Sequence, residues 1–225
     1  MNEISQNQMD SKALLTIQDV ERIFGGGRKL FGGHLPAVHA VQGLSLDVKK
    51  GETLGVVGES GCGKSTLARL VVGLDLPTSG SITFNGEDLA ALAKKDRNAL
   101  ARKVQYVFQD PVASLNPRKT IRTILEAPLK HLTNLNSDGR EKRLAELLQA
   151  VNLAPEFLER YPHEFSGGQA QRIGIARALA AGPELIVLDE PVSALDVSVQ
   201  AQVLNLLDKL KDDFGLTYIF ISHDL

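Results

Sequence analysis

Residues 58–66, Gly-Glu-Ser-Gly-Cys-Gly-Lys-Ser-Thr, combine residue types and a spacing that can hold a phosphate group. They satisfy the pattern G-x-x-x-x-G-K-[ST] through Gly58, Gly63, Lys64 and Ser65. The glycines let backbone N–H groups turn inward around an anion, and a following helix adds the positive end of its dipole. We expect Lys64 to reach the β- and γ-phosphates and the Ser65 hydroxyl to bind Mg²⁺. The other loop residues expected to surround the nucleotide are Glu59, Ser60, Gly61, Cys62 and Thr66.

The segments on either side of this loop have the character that a phosphate-binding loop requires. Thr53–Val57 is short, apolar and partly β-branched, which predicts a buried strand. The residues after the loop place Leu67, Leu70, Val71 and Leu74 on one face of a helix. The alternative is a glycine-rich turn with an exposed lysine, but the order strand, loop, helix favours a nucleotide site.

Two carboxylates follow a second apolar run. Residues 185–188, Leu-Ile-Val-Leu, predict a strand buried on both faces, and Asp189 and Glu190 come directly after it. At the end of such a strand Asp189 can reach a magnesium ion held by Ser65, and Glu190 can accept a proton from an attacking water. The alternative is a strand that ends in a solvated Asp-Glu loop.

A pair of glycines marks the start of a later helix. Ser166 and Gln169 form S-x-x-Q, an ordinary capping box. Gly167 and Gly168 lie between them, although each glycine in a helix lowers its stability by about 1 kcal/mol relative to alanine. Glycine is expected there if another backbone or an anion must approach closely.

The remaining pattern predicts an antiparallel β opening followed by alternating strands and helices, an α/β chain. Besides 53–57, strands are expected at residues 14–17, 41–48, 81–84, 104–108, 185–188 and 217–221. Helices are expected from 67, at 94–103, over 121–151 with a break near 134–139, from 166 and over 197–210.

Composition limits the function classes. The 225 residues are 43% hydrophobic, enough for a substantial core in one domain or a domain with a subdomain. With 25 basic and 27 acidic residues the net charge is −2, which argues against a nucleic-acid protein that works by bulk electrostatics. No apolar run approaches the roughly 20 residues that span a bilayer. Cys62 is the only cysteine, and residues 1–12 are polar and expected to be disordered.

Residues 165–169, continued by 171–179, resemble the signature motif of ATP-binding-cassette (ABC) ATPases, with Phe165 where leucine is usual. Other motifs of this family occur in order. Gln109 matches the Q-loop, residues 193–196 match the D-loop, and His223 matches the switch histidine.

This resemblance covers about residues 13–225 and implies a P-loop NTPase of the ABC type. Its expected fold has a mixed sheet core, an antiparallel β subdomain and a helical subdomain at about residues 112–180. Family members continue beyond the switch histidine with a helix and further strands. We therefore expect a chain that ends at Leu225 to lack the C-terminal part of the usual domain.

The resemblance also implies a shared site between two cassettes that pair head to tail around two ATP molecules. Lys64, Ser65 and Asp189 would hold one ATP and its Mg²⁺, and the signature of the partner would cap the γ-phosphate. The corresponding capping residues of this chain are Ser166, Gly167, Gly168 and Gln169.

For catalysis, the resemblance assigns Gln109 to magnesium and the attacking water, His223 to the γ-phosphate and Glu190 to the role of base. An aromatic residue that stacks on adenine is expected ahead of the second strand. Phe24 is the candidate and Phe31 the reserve.

Residues 109–118, Gln-Asp-Pro-Val-Ala-Ser-Leu-Asn-Pro-Arg, resemble the extended Q-loop of dipeptide and oligopeptide importer ATPases. This implies an ATPase subunit peripheral to the cytoplasmic face of a bacterial inner membrane. The implied partners are a second, paralogous ATPase, two permease subunits and, indirectly, a solute-binding protein, with no nucleic acid. Related nickel importers share much of this loop, so nickel or another small solute is an alternative. A soluble ABC ATPase and a non-catalytic binding partner are further alternatives.

Overall fold

The strands of the chain form two separate four-stranded sheets in the computed structural model, which describes residues 13–26 and 36–223. The antiparallel sheet has the order β2-β1-β4-β5, with β1 Ala13–Gly25, β2 Ala37–Lys49, β4 Ser79–Phe84 and β5 Glu87–Asp88. The parallel sheet has the order β3-β8-β7-β6, with β3 Thr53–Val57, β6 Val104–Val107, β7 Leu185–Asp189 and β8 Thr217–Ser222. The predicted α/β class with an antiparallel β part is confirmed. The expected disorder of residues 1–12 concerns a segment outside the described residues.

Seven α-helices surround these sheets in the described part of the chain. They are α1 Lys64–Val71, α2 Leu89–Lys95, α3 Arg97–Lys103, α4 Ile121–Leu132, α5 Ser137–Ala150, α6 Gly167–Leu179 and α7 Val197–Phe214. Between β6 and β7 the chain forms only helices and turns, including two short 3-10 helices at Pro155–Glu159 and Pro162–Glu164. This helical stretch contains the segment expected to form a helical subdomain.

Strand β7 lies at the centre of the core, and all five of its residues are buried. Ile186 and Leu188 face a cluster built with α4–α7, whereas Leu185 and Val187 face a cluster that includes α1 and the antiparallel sheet. Successive side chains of a strand point to opposite faces, so a continuous apolar run is needed where both faces are covered. Each such aliphatic side chain contributes about 1.5–3 kcal/mol to the free energy of folding.

Local capping sets where several helices begin and end. The break expected near 134–139 is found between Leu132 and Ser137, where the Asn136 side chain accepts a hydrogen bond from the Gly139 N–H. The expected helix over 94–103 is divided, because Asp96 caps α3 through the Ala99 N–H.

Helix α1 is shorter than the apolar periodicity predicts. Gly73 has a φ of +70°, and the N–H groups of Gly73 and Leu74 donate to the carbonyls of Leu70 and Arg69. This is a Schellman ending, which stops the helix and satisfies its last carbonyls. The expectation that Leu74 lies on the buried face is therefore wrong, and this residue is 54% exposed.

Within the described residues, no helix combines the length and apolar composition that crossing a bilayer requires.

Candidate active site

The glycine-rich loop connects the end of β3 to the start of α1, as the flanking sequence predicts. The expectation that β3 is buried is wrong, because it is the edge strand of the parallel sheet and none of its five residues is buried. At Gly63, which caps α1, φ is +100°, and an added Cβ would lie 1.9 Å from the carbonyl oxygen of Ala40 in β2. A Cβ at Gly58 would lie 2.7 Å from the sulfur of Cys62. Glycine is thus required at Gly63 by both backbone angle and space, and the loop is held tightly against β2.

Lys64 points into this loop. Its ammonium group donates hydrogen bonds to the carbonyls of Gly58, at 2.5 Å, and Glu59, at 2.9 Å. Only 8% of the residue is exposed. Buried lysines need partners, and here the partners are the two loop carbonyls. The positive charge is therefore held where the loop can enclose an anion.

A cavity of about 330 Å³ lies beside the lysine. It is lined by the beginning of β2, including His39, the end of β3 and the loop residues Cys62, Gly63 and Lys64. Ser65 and Thr66 follow in the first turn of α1, and Ser65 is exposed. The cavity has room for the part of a nucleotide that extends beyond its phosphates.

Asp189 ends β7 and is 5% exposed. The hydroxyl of Tyr106 in β6 donates a hydrogen bond to its Oδ2 at 2.5 Å. Burial, together with this hydrogen bond and the charge of Asp189, raises the pKa of Tyr106 well above its usual value. The phenol therefore keeps its proton near neutral pH and acts as the donor.

Two residues that the sequence singles out, Gln109 and His223, meet at Glu190. The side-chain amide of Gln109 donates to its Oε2 at 2.8 Å, and Nδ1 of His223 lies 3.6 Å from the same oxygen. The Glu190 backbone has a φ of +46°, and its N–H donates to Ile221 in β8 at 3.0 Å. Such a φ is uncommon for a residue with a side chain, so the position of this carboxylate is fixed by its surroundings.

The order of the parallel strands explains this convergence. The phosphate-binding loop follows β3, His223 follows β8 and Gln109 follows β6, while Asp189 ends β7 and Glu190 comes directly after it. The carboxyl ends of parallel strands share one edge of the sheet, which is where ligands bind in open α/β sheets.

The donor set fits a magnesium ion shared with a nucleotide rather than a protein-only metal centre. Among residues 13–26 and 36–223, no three His, Cys, Asp or Glu side chains form a metal-binding group. Mg²⁺ is commonly held by one or two carboxylates together with waters and substrate phosphates. Asp189 and the hydroxyl of Ser65 match that pattern.

The predicted capping box at the start of α6 is present. The Ser166 hydroxyl accepts from the Gln169 N–H at 3.4 Å, and the Gln169 side chain accepts from the Ser166 N–H at 3.1 Å. A Cβ on Gly168 would lie 2.4 Å from a methyl of Val199 in α7. In this chain the close approach that requires glycine is therefore a side chain of α7. Residues 166–169 do not line the cavity beside Lys64.

Phe24 lies in β1, where it is paired with Val38, and the neighbouring pair joins Ile23 to His39. Because His39 lines the cavity, the end of β1 is adjacent to it. The guanidinium carbon of Arg22 lies 4.4 Å from the centre of the Phe24 ring. The reserve candidate, Phe31, lies outside the described residues.

Sequence reasoning missed two side chains at this edge. One is Tyr106, which had no recognisable signal beyond its position three residues before Gln109. The other is Arg177 in α6, which donates to the carbonyl of Ser114 at 2.6 Å and so ties the signature helix to the turn after Gln109. Burial lowers the pKa of Arg177, yet an arginine stays charged near neutral pH.

Comparison with known proteins identifies the family. A family profile described as "ABC transporter" matches residues 41–193. The chain is 53% identical over 217 residues to the oligopeptide transport ATP-binding protein AppF of Bacillus subtilis (strain 168), covering 96% of this chain and 66% of the relative. It is 48% identical over 229 residues to the oligopeptide transport ATP-binding protein OppF of Escherichia coli (strain K12), covering 100% of this chain and 67% of the relative.

The fold matches a solved structure as well, the dimeric post-hydrolysis state of the ATP-binding cassette MJ0796 bound to ADP and Pi. The TM-score is 0.80 at 30% sequence identity, and the match covers 93% of this chain and 88% of the other. The chain spans 61–66% of the length of three of its curated relatives. Sequence and structure together place it: the chain belongs to the ABC transporter family and has the fold of its ATP-binding domain.

Proposed function

We propose that this chain binds ATP with Mg²⁺ and hydrolyses it to ADP and phosphate, to drive peptide uptake by an importer. The observation that carries the catalytic part is the convergence of Gln109 and His223 on one oxygen of Glu190. Glu190 has an uncommon backbone conformation, and it lies at the sheet edge that also carries the phosphate-binding loop.

Phosphate binding would begin with the loop and α1. Backbone N–H groups and the helix N-terminus receive the anion, and the Lys64 ammonium exchanges its two loop carbonyls for phosphate oxygens. The tight packing of Gly63 against β2 keeps the loop in shape before the nucleotide arrives. Phe24 is the residue that we assign to the adenine ring.

Ser65 and Asp189 would hold Mg²⁺, with Gln109 as a further ligand. When bound, the ion neutralises the charge that develops on the phosphate oxygens.

Glu190 would take up the proton of the attacking water. Gln109 holds Oε2 of the carboxylate, and Oε1 remains to accept the proton. His223 is more than half exposed in its side chain, so it can turn from Glu190 towards the γ-phosphate. Hydrolysis of this kind depends mainly on positioning and charge stabilisation, and these residues supply both.

A second cassette would complete the site. Ser166–Gln169 lie away from the cavity of their own chain, and they would cap an ATP bound by the partner, which we propose to be a paralogous ATPase. The similar MJ0796 cassette forms a dimer with ADP and Pi bound, which supports this arrangement.

We further propose that two permease subunits and a solute-binding protein complete the transporter, with this subunit on the cytoplasmic face of the membrane. The names of the relatives, oligopeptide and dipeptide transport ATP-binding proteins, favour peptides over nickel. They also favour a transporter over a soluble ABC ATPase.

The experiment is a reconstitution of the protein with its partner ATPase and permeases in proteoliposomes. We expect the peptide-loaded solute-binding protein to stimulate ATP turnover and peptide accumulation together. Stimulation by nickel but not by any di- or oligopeptide would contradict the peptide assignment and leave the ATPase assignment intact.

A further inference from the structure

One hydrogen bond at the site has no place in the catalytic scheme above. It joins the hydroxyl of Tyr106, in the middle of β6, to Oδ2 of Asp189 at the end of β7. The register pairs Tyr106 with Val187, two residues before Asp189, so the phenol spans that offset along the neighbouring strand. The phenol therefore bonds to the carboxylate that we assign to magnesium.

The tyrosine is itself held in place. Its ring packs edge-on against Phe108, with ring centroids 4.5 Å apart and an interplanar angle of 70°. Its backbone lies within the parallel ladder between β6 and β7. A side chain restrained at both backbone and ring places its hydroxyl in one position, and the carboxylate that accepts its hydrogen bond is restrained with it.

We propose that Tyr106 is a positioning residue for Mg²⁺: its hydroxyl holds Oδ2 of Asp189 and so presents Oδ1 to the metal in a fixed orientation. The inference rests on the proposed function, because it takes Asp189 as the metal-binding carboxylate. Residues that orient a metal ligand from behind commonly change metal affinity by about 10- to 100-fold when they are removed.

Tyr218 provides a matched control. It is also a tyrosine in the parallel sheet, in strand β8. Its hydroxyl donates a hydrogen bond to the carbonyl of Leu207 in α7 at 3.0 Å. Removing either hydroxyl costs one phenol hydrogen bond of a tyrosine in the parallel sheet. Only Tyr106 bonds to the carboxylate assigned to magnesium.

The test compares the Tyr106→Phe and Tyr218→Phe variants of the protein. Binding of Mn²⁺, which replaces Mg²⁺ as an observable ion, is titrated by electron paramagnetic resonance in the presence of a non-hydrolysable ATP analogue. Binding of the same ATP analogue to the protein in the absence of metal ions is measured separately. We expect Tyr106→Phe to weaken Mn²⁺ binding about tenfold, at the lower end of the range for such residues. Tyr218→Phe is expected to leave Mn²⁺ binding unchanged, and metal-free nucleotide binding should be the same in both.

Three results would overturn the proposal. The first is a Mn²⁺ affinity of Tyr106→Phe within twofold of the parent. The second is an equal loss of Mn²⁺ affinity in Tyr218→Phe. The third is weaker binding of the nucleotide to Tyr106→Phe in the absence of metal, which would make the hydroxyl merely structural. A parent protein that binds no Mn²⁺ with the nucleotide would overturn the proposed function along with this inference.

Discussion

Lys64 is a buried cation whose only hydrogen bonds in the described part of the chain go to the carbonyls of its own loop. This arrangement holds the loop closed around a positive charge. We therefore propose two roles for the lysine, shaping the loop and binding a phosphate that displaces the two carbonyls.

Lys64→Ala is expected to weaken nucleotide binding by about 10- to 100-fold, because hydrogen bonds to charged groups contribute about 1.5–3 kcal/mol. A fluorescent ATP analogue titrated into the purified protein measures the change. Lys130→Ala, which removes an ion pair with Glu126 on α4, is the control and should bind like the parent. Equal affinity in Lys64→Ala and the parent would show that the loop does not bind the phosphates as proposed.

Two glycines of helix α6, Gly168 and Gly174, differ in the space around them. Substituting each one distinguishes the effect of packing from the effect of helix propensity. A Cβ at Gly168 would meet a methyl of Val199 at 2.4 Å, whereas a Cβ at Gly174 would meet nothing within 4 Å. The start of α6 is therefore set against α7, but its middle is not limited by space.

Gly168→Ala is expected to destabilise the protein by about 1–3 kcal/mol, because the added methyl must displace Val199 or move α7. Gly174→Ala is expected to be neutral or to stabilise by up to about 1 kcal/mol, since alanine favours helix. Urea unfolding followed by circular dichroism measures both free energies. The packing account would fail if the two variants had the same stability, or if adding Val199→Ala did not restore stability to Gly168→Ala.

The sequence predicts the individual elements well where a single physical signal dominates. β7 is recognisable because both of its faces are buried, which demands a continuous apolar run. The loop before α1 is recognisable because its glycines have a fixed spacing. Apolar periodicity does not predict the end of α1, because it continues to Leu74, past the stop signal at Gly73.

The arrangement of the site could not be derived from periodicity. Gln109, Glu190 and His223 meet only because β7 lies between β6 and β8, and strand order is a tertiary property that local patterns do not encode. The family resemblance implies their catalytic roles, and the structure shows that Gln109 and His223 both approach Oε2 of Glu190. The contact of Tyr106 with Asp189 depends on register between distant strands, so no local pattern indicates it.

At the scale of the whole molecule, the phosphate-binding loop and the signature segment Ser166–Gln169 do not line the same cavity. The loop opens into the cavity beside Lys64, and Ser166–Gln169 pack against α7 away from that cavity. We therefore propose that a complete site requires residues from another subunit.

We expect Glu190→Gln protein to associate with its partner cassette when ATP is added, because slow hydrolysis would keep the bridging nucleotide in place. Adding Ser166→Arg should abolish that association without changing ATP binding to the separate subunit, since Ser166 does not line its own cavity. Sedimentation velocity with and without ATP measures both effects. Association that is independent of ATP, or that persists with Ser166→Arg, would contradict the shared site.

We propose that this chain is an ATPase whose base is Glu190, and Glu184 offers a close control. The two glutamates flank the same strand, Glu184 immediately before β7 and Glu190 immediately after it. The Glu184 carboxylate accepts hydrogen bonds from the side-chain amide of Asn85.

The most direct measurement is ATP binding and single-turnover phosphate release by Glu190→Gln and Glu184→Gln, each assembled with the partner cassette and permeases. A general base contributes about 10²- to 10⁴-fold to a rate, so Glu190→Gln should bind ATP like the parent and release phosphate at least 100-fold more slowly. Glu184→Gln should retain both properties. Unchanged phosphate release by Glu190→Gln would contradict the account.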